Sequence, residues 1–221
     1  MFIKKGFTLA EVLITLGIIG IVAAMTIPTL MNNVQDYQLK QAWKKNFSVL
    51  QQATTSVLQN IGTFKNVYTV FNQEALKNEY APYLKTLKIC SGDPAAETTF
   101  GFCWHALGVT KYLAGGSIGN SVPLGNGAAG IILQDGSYVL FAYNDPTCTN
   151  QNGAGAGEGL NACGWITVDV NGAKSPNVLG KDTFGVWVLQ DRIVPWGTNG
   201  NSATCTTAST GLGCAAQYLN Q

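Results

Sequence analysis

From Val12 to Ile27 the chain reads VLITLGIIGIVAAMTI, without a single charge. Counted back through Phe7, about twenty mostly apolar residues carry one carboxylate, Glu11, close to what a helix needs to cross roughly 30 Å of hydrocarbon. Past Pro28 the pattern turns polar but keeps a helical period. Leu39, Trp43, Phe47, Leu50, Ala53, Val57 and Ile61 recur at three- and four-residue steps, an apolar stripe from which Lys40, Lys44 and Lys45 largely fall away. Pro28 has no amide proton and crowds the preceding turn, so a kink or brief melting is expected there. One helix from Phe7 to Ile61 is about 55 residues, a rod of about 80 Å. Its first half suits lipid, and its second half suits a globular head.

Ile61-Gly62 is a plausible stop, and a second helix is expected over 73–87, interrupted by Pro82. The texture then changes. Residues 130–134 and 138–143, joined by Asp135-Gly136, predict a β-hairpin. Residues 164–170, ahead of Asn171-Gly172, predict a third strand, and 184–189 a fourth. Closely spaced strands with no crossover helix between them favour an antiparallel sheet, laid over the helix stripe. The fold class is therefore α+β. Asn150–Asn161 and Trp196–Thr207 read as glycine-rich surface loops, with neither phosphate-cradle nor dinucleotide spacing.

Composition narrows the chemistry. Only 11% of the 221 residues are charged, and thirteen cations oppose twelve anions. A net charge of +1 argues against a nucleic-acid binder driven by phosphate neutralisation. The single histidine, His105, has no serine or carboxylate partner at motif spacing and reads as structural, which disfavours a metalloenzyme or a histidine-based hydrolase. Cys90, Cys103, Cys148, Cys163, Cys205 and Cys214 all lie beyond the apolar segment, an even set that fits an oxidising compartment. Sequence alone leaves their connectivity open. Nearest-neighbour pairing is the expectation, because each bridge would staple a loop poor in core residues. No CxxC pair is present to favour zinc. Asn46-Phe47-Ser48 fits a glycosylation sequon but lies within the expected helix.

The N-terminus holds the most specific signal. A cleaved secretory signal would have its small-residue site after the apolar core, near Ala23-Ala24, but has no use for Glu11. A retained anchor has one, since a carboxylate at the edge of a span is kept only for a contact. Lys4 and Lys5 precede the span, leaving the N-terminus cytoplasmic and the head outside. Lys4-Lys5-Gly6-Phe7-Thr8-Leu9-Ala10-Glu11-Val12 resembles the class III leader of type IV pilins and type II secretion pseudopilins. Basic leader, Gly, Phe and a Glu four residues later all match, and Pro28 stands where family members often carry a helix-loosening proline.

The resemblance implies a pilin-like fold, a long N-terminal helix packed on an antiparallel sheet. It divides the chain into a leader (1–6), a membrane and assembly helix (7–28), the amphipathic half of the helix (29–62) and a head (63–221). It implies cleavage by a prepilin peptidase after Gly6, methylation of the Phe7 amine, and polymerisation with itself and with other pilin-like subunits on an inner-membrane platform. In a filament the Phe7 amine of one copy pairs with Glu11 of a neighbour; the alternative is that Glu11 only snorkels at the membrane edge. Such a subunit is structural rather than enzymatic and needs no cofactor. Destinations left open are a type II secretion pseudopilus, an adhesion or motility pilus, and a competence pilus that takes up DNA, the last weakened by the neutral charge. The segment from Asp169 to Phe184 resembles one common in pseudopilin-like proteins, some of which bind calcium near the C-terminus. Asp169, Asn171 and Asp182 would offer the oxygen ligands, although Ala173 and Gly180 break the EF-hand pattern. The alternative is an Asn-Gly turn held by Asx hydrogen bonds. A membrane-anchored enzyme or binding domain is the rival from another class.

Overall fold

A computed structural model describes residues 6, 8–69, 72–90, 103–104, 109–118, 129–149, 161–199 and 204–221. His105 lies outside them, as do Phe7 and the whole glycine-rich stretch 150–160. Helix α1 runs from Leu9 to Ile61. By internal contacts the chain forms two units, 1–38 and 39–221.

From Leu9 onward the first unit is helix. Its large apolar side chains, from Leu9 to Tyr37, are all exposed. The helix is unbroken at Pro28, so the melting expected there is not found. One missing amide removes a single backbone bond, which a helix absorbs by a slight bend when the turns on both sides are intact.

The second unit is the head. Strands β1 (Thr86–Ile89), β2 (Ala129–Leu133), β3 (Tyr138–Tyr143), β4 (Gly164–Asp169), β5 (Thr183–Val188) and β6 (Ile193–Pro195) form one sheet in sequence order. Every pairing is antiparallel. This is the expected α+β, pilin-like arrangement. Residues 73–87 are corrected in part: α2 ends at Tyr80, Ala81–Tyr83 make a 3₁₀ turn, and the chain then extends into edge strand β1. Pro82 is the cause, because its fixed φ and missing donor suit a tight turn but not a continuing helix.

One face of the sheet takes α1. Trp43 stacks on Phe184 at 4.9 Å, and Tyr80 of α2 joins Phe141 to the helix through a 2.8 Å bond between its hydroxyl and that of Thr54. Of the expected stripe, Leu39, Trp43, Leu50, Ala53 and Val57 are buried, with Phe47 and Ile61 packed at its margin. Asn46 is buried too, its amide donating to Ala42 O and Ser137 Oγ, which removes it as a glycosylation site. The opposite face carries Trp165 and Trp187, covered by Trp196, whose ring lies 5.5 Å from that of Trp187. The C-terminal helix α3 (Cys214–Leu219) returns to α1, where Ala215 O accepts from Trp43 Nε1 at 2.9 Å.

The helix runs along the strands, so the head has two ends. At the root end, where α1 comes in, Lys45 reaches Asp135 at 2.7 Å and Asn46 reaches Ser137, both in the β2–β3 turn, and the β4–β5 connection meets the same turn through Ser137 Oγ and Val170 O. At the far end, Phe64 N donates to Gln190 O and Tyr143 Oη donates to Phe64 O. Disulfides join Cys90–Cys103, Cys148–Cys163 and Cys205–Cys214, the nearest-neighbour pattern. Each closes a short loop and stabilises by about 2–4 kcal/mol, chiefly by restricting the unfolded chain.

Gly185 is where the second face is tightest, since a Cβ there would sit 2.3 Å from two atoms of the Trp196 ring. Gly185→Ala is expected to destabilise the head by about 1–3 kcal/mol, read as a lower denaturation midpoint with an unchanged slope. An unaltered midpoint would show that Trp196 is not packed against this strand.

Candidate functional site

The start of α1 is built by its own sequence. Thr8 is the residue before the first helical position and Glu11 stands three residues on, the spacing of a capping box. Glu11 Oε2 accepts from Thr8 N and from Thr8 Oγ1, both at 2.8 Å, and Thr8 Oγ1 accepts from Glu11 N at 3.3 Å. Two backbone donors that a helix start normally leaves orphaned are thereby satisfied. Further along, Thr15 Oγ1 donates to Glu11 O and Val12 O, and Thr26 Oγ1 to Val22 O, so these hydroxyls need no outside partner. The helix is long and apolar enough to cross a membrane, and that stretch is wholly unburied.

Among the sequence-predicted residues, Gly6 is exposed and adjoins this cap, while Phe7 lies outside the described residues. The Thr-x-x-Glu spacing is the sequence signal for these capping bonds of Thr8.

The second cluster sits at the root end of the head. Asp169 and Asp182 are both fully buried. Asp182 accepts from Asn177 N at 2.7 Å and from Val178 N at 2.6 Å; Asp169 accepts from Asn171 N at 3.1 Å and from Thr183 Oγ1 at 3.2 Å. The two carboxylates thus hold the long β4–β5 connection in shape, as Asx-type bonds do. Asn171 Nδ2 donates to Ser175 O, but the buried Oδ1 atoms of Asn171 and Asn177 have no hydrogen-bond partner. Asn177 belongs to this cluster and was not anticipated, because nothing in the sequence marks its burial. Among the described residues no three His, Cys, Asp or Glu side chains come together as a metal group.

Burial, and then the neighbouring Asp169 carboxylate, push Asp182 up to about 6, against the donations from Val178, Asn177 and Asn171 that pull it down. Burial, and then the Asp169 carboxylate, push the Tyr138 phenol upward.

Residues 1–27 match the family model of the prokaryotic N-terminal methylation motif, the class III prepilin leader of type IV pilins and pseudopilins. No curated protein matches the chain, and no solved structure does.

The folded head binds the Asp182 proton more tightly than the unfolded chain does, so this contribution to stability is complete below about pH 4 and is lost as pH rises through about 6. Chemical denaturation from pH 4 to 7 is expected to reveal a loss of roughly 2–3 kcal/mol that Asp182→Asn abolishes. An identical pH profile in the variant would show that Asp182 does not titrate in this range.

Proposed function

We propose that this chain is a structural subunit of a type II secretion pseudopilus. It is inserted in the inner membrane with its N-terminus cytoplasmic, cleaved between Gly6 and Phe7, methylated on the Phe7 amine, and polymerised through α1. The observation that carries the reading is Glu11, a carboxylate fixed on the first turn of a helix whose following apolar surface is entirely exposed. A carboxylate buried among apolar helices needs a cation, and cleavage creates one beside it in every copy. Pairing the Phe7 amine of one subunit with Glu11 of the next neutralises both and sets the axial register. Prepilin peptidase, an assembly platform and other pilin-like subunits are the partners this implies. Type II secretion, rather than a pilus for adhesion, motility or DNA uptake, is favoured by the buried Asp169–Asp182 connection, which resembles a segment of pseudopilin-like proteins.

Calcium belongs to the same reading. Asp169, Asn171 and Asp182 would hold it, with Asn177 as a further oxygen, and the unpartnered amide oxygens support this. A thermal midpoint that falls on adding a chelator and returns with calcium is the expected result, and an unchanged midpoint ends the idea.

The assembly reading makes two linked predictions. Mass spectrometry of the mature chain is expected to find N-methylated Phe7 at the terminus. Glu11→Ala is expected to insert in the membrane normally yet enter filaments at least about tenfold less, since its neighbour's amine loses its counter-charge. A mature terminus elsewhere, or normal assembly of the variant, would reject it.

A further inference from the structure

Within the head, the buried stretch of α1 and the edge of the sheet leave a groove between them. Asn46, Val49 and Gln52 recur at three-residue steps and form one wall from a single flank of the helix. Tyr83 of the 3₁₀ turn and Lys85, just before β1, line it from the sheet side, and Leu133 at the end of β2 adds buried apolar surface. All of these residues belong to the second unit. The cavity is about 580 Å³, the size of a small-ligand or side-chain pocket. Its walls are tied together by the fold itself. Asn60 Nδ2 donates to Tyr83 Oη, Gln134 N donates to Lys85 O at 2.9 Å, and Lys45 holds Asp135 at 2.7 Å. A groove already in shape spares a ligand the cost of ordering it.

Three features of this groove want partners that the head does not supply. Asn46 is only 3% exposed, and its amide nitrogen is spent on Ala42 O and Ser137 Oγ, while its Oδ1 accepts no hydrogen bond from the described residues. Lys85 is exposed, and among the described residues its ammonium has no carboxylate partner. Asp135 does not serve it, because one of its oxygens takes Lys45 and the other takes Ser137 N at 3.1 Å. Val49 is half-buried and Tyr83 40% exposed, so the apolar wall is open to a further side chain. The groove therefore asks for a hydrogen-bond donor, a carboxylate and an apolar group within one short reach. A peptide backbone bearing an acidic residue beside a large apolar one carries all three. A fatty or aromatic carboxylate carries no donor and leaves the nearly buried Asn46 oxygen unpaired, which weakens its binding.

We propose that this groove binds an acidic, apolar peptide segment of a partner protein. Its large side chain packs on Val49, Leu133 and Tyr83, its carboxylate meets Lys85, and a backbone N–H donates to Asn46 Oδ1. Each contact selects against a different competitor. Lys85 rejects a basic segment, the apolar wall rejects a wholly polar one, and the Asn46 oxygen rejects an amphiphile without an N–H. The site lies wholly in the head and does not depend on how α1 is anchored or assembled.

The test titrates the full chain, held in phosphatidylcholine nanodiscs, against a short capped peptide of alternating leucine and glutamate carrying a neutral dye. Fluorescence anisotropy is the readout and empty discs are the blank. Saturable binding with a Kd below about 1 mM is expected, weakening as salt is raised. The same peptide with lysine for glutamate, or with serine for leucine, is expected to bind at least about tenfold more weakly. Val49→Trp, which fills the groove, is expected to cost at least about tenfold in affinity. Lys85→Glu is expected to reverse the charge preference, making the lysine peptide the tighter of the two, a result that misfolding cannot produce. Absence of saturable binding, equal affinity for both charges, or an unreversed preference in Lys85→Glu overturns the proposal. So does octanoate that displaces the peptide at equal concentration, which would give the groove to a fatty carboxylate. A native chain that ignores every peptide, with a Val49→Trp chain that no longer enters filaments, would give it to a second copy and also overturns the proposal. Failure of the Phe7 or Glu11 predictions leaves peptide binding untouched, so the two readings fall separately.

Discussion

A carboxylate on the first turn of a helix that is uncharged for the next bilayer's thickness has very few partners to choose from. In the free chain Glu11 turns back on its own helix and accepts twice from Thr8. Those bonds satisfy orphaned donors but leave the negative charge uncancelled. In water that is harmless. Among apolar helices it is costly, and the demand can be met only by a cation brought to the same depth. In the proposed reading, cleavage after Gly6 would leave an amine at that depth. Processing and assembly would then be tied to one electrostatic requirement, made strict by the uncharged stretch from Val12 to Ile27.

The same helix serves two solvents. Through residue 37 its large apolar side chains face outward, and from Leu39 the stripe is buried in the head. The change is abrupt because the head grips its stretch of helix with polar as well as apolar contacts. Trp43 is stacked on Phe184 and hydrogen-bonded to Ala215, while Asn46 and Thr54 are buried and satisfied. Buried polar groups with matched partners fix one rotational setting of the helix against the sheet, where apolar residues alone would tolerate several. Disulfides support the loops between these contacts, and the head's core contains no residue of the exposed N-terminal part of the helix.

What sequence revealed follows from which residues carry periodic signals. The stripe from Leu39 to Ile61 and the strands around 130–143, 164–170 and 184–189 were legible because burial on one or both faces imposes a pattern. Strand β1 was not, because Thr-Leu-Lys-Ile is an exposed edge with neither continuous nor alternating burial, and the preceding helical period ran into it. Helix α3 is six residues in a Gly- and Thr-rich tail, too short for a period to show. For the sites, Glu11 stood out as a charge in an apolar run. Asp169 and Asp182 were candidate calcium ligands by resemblance, with an Asn-Gly turn as the alternative, and only tertiary structure shows both to be fully buried. Asn177 joins them through a five-residue bond to Asp182 that no spacing rule anticipates.

The sheet's simple order also decides where the described charged residues of the head fall. In an antiparallel meander, successive connections alternate between ends. The β2–β3 and β4–β5 connections therefore share the root end with the first turns of α1 in the head, and the β3–β4 and β5–β6 connections share the far end. A lysine's position along the chain thus decides which end it decorates, whatever the total charge. Lys85 and Lys174 join the helix lysines by this parity alone, though they stand about ninety residues apart in sequence. Asp145 and Asp191 go to the opposite end by the same rule.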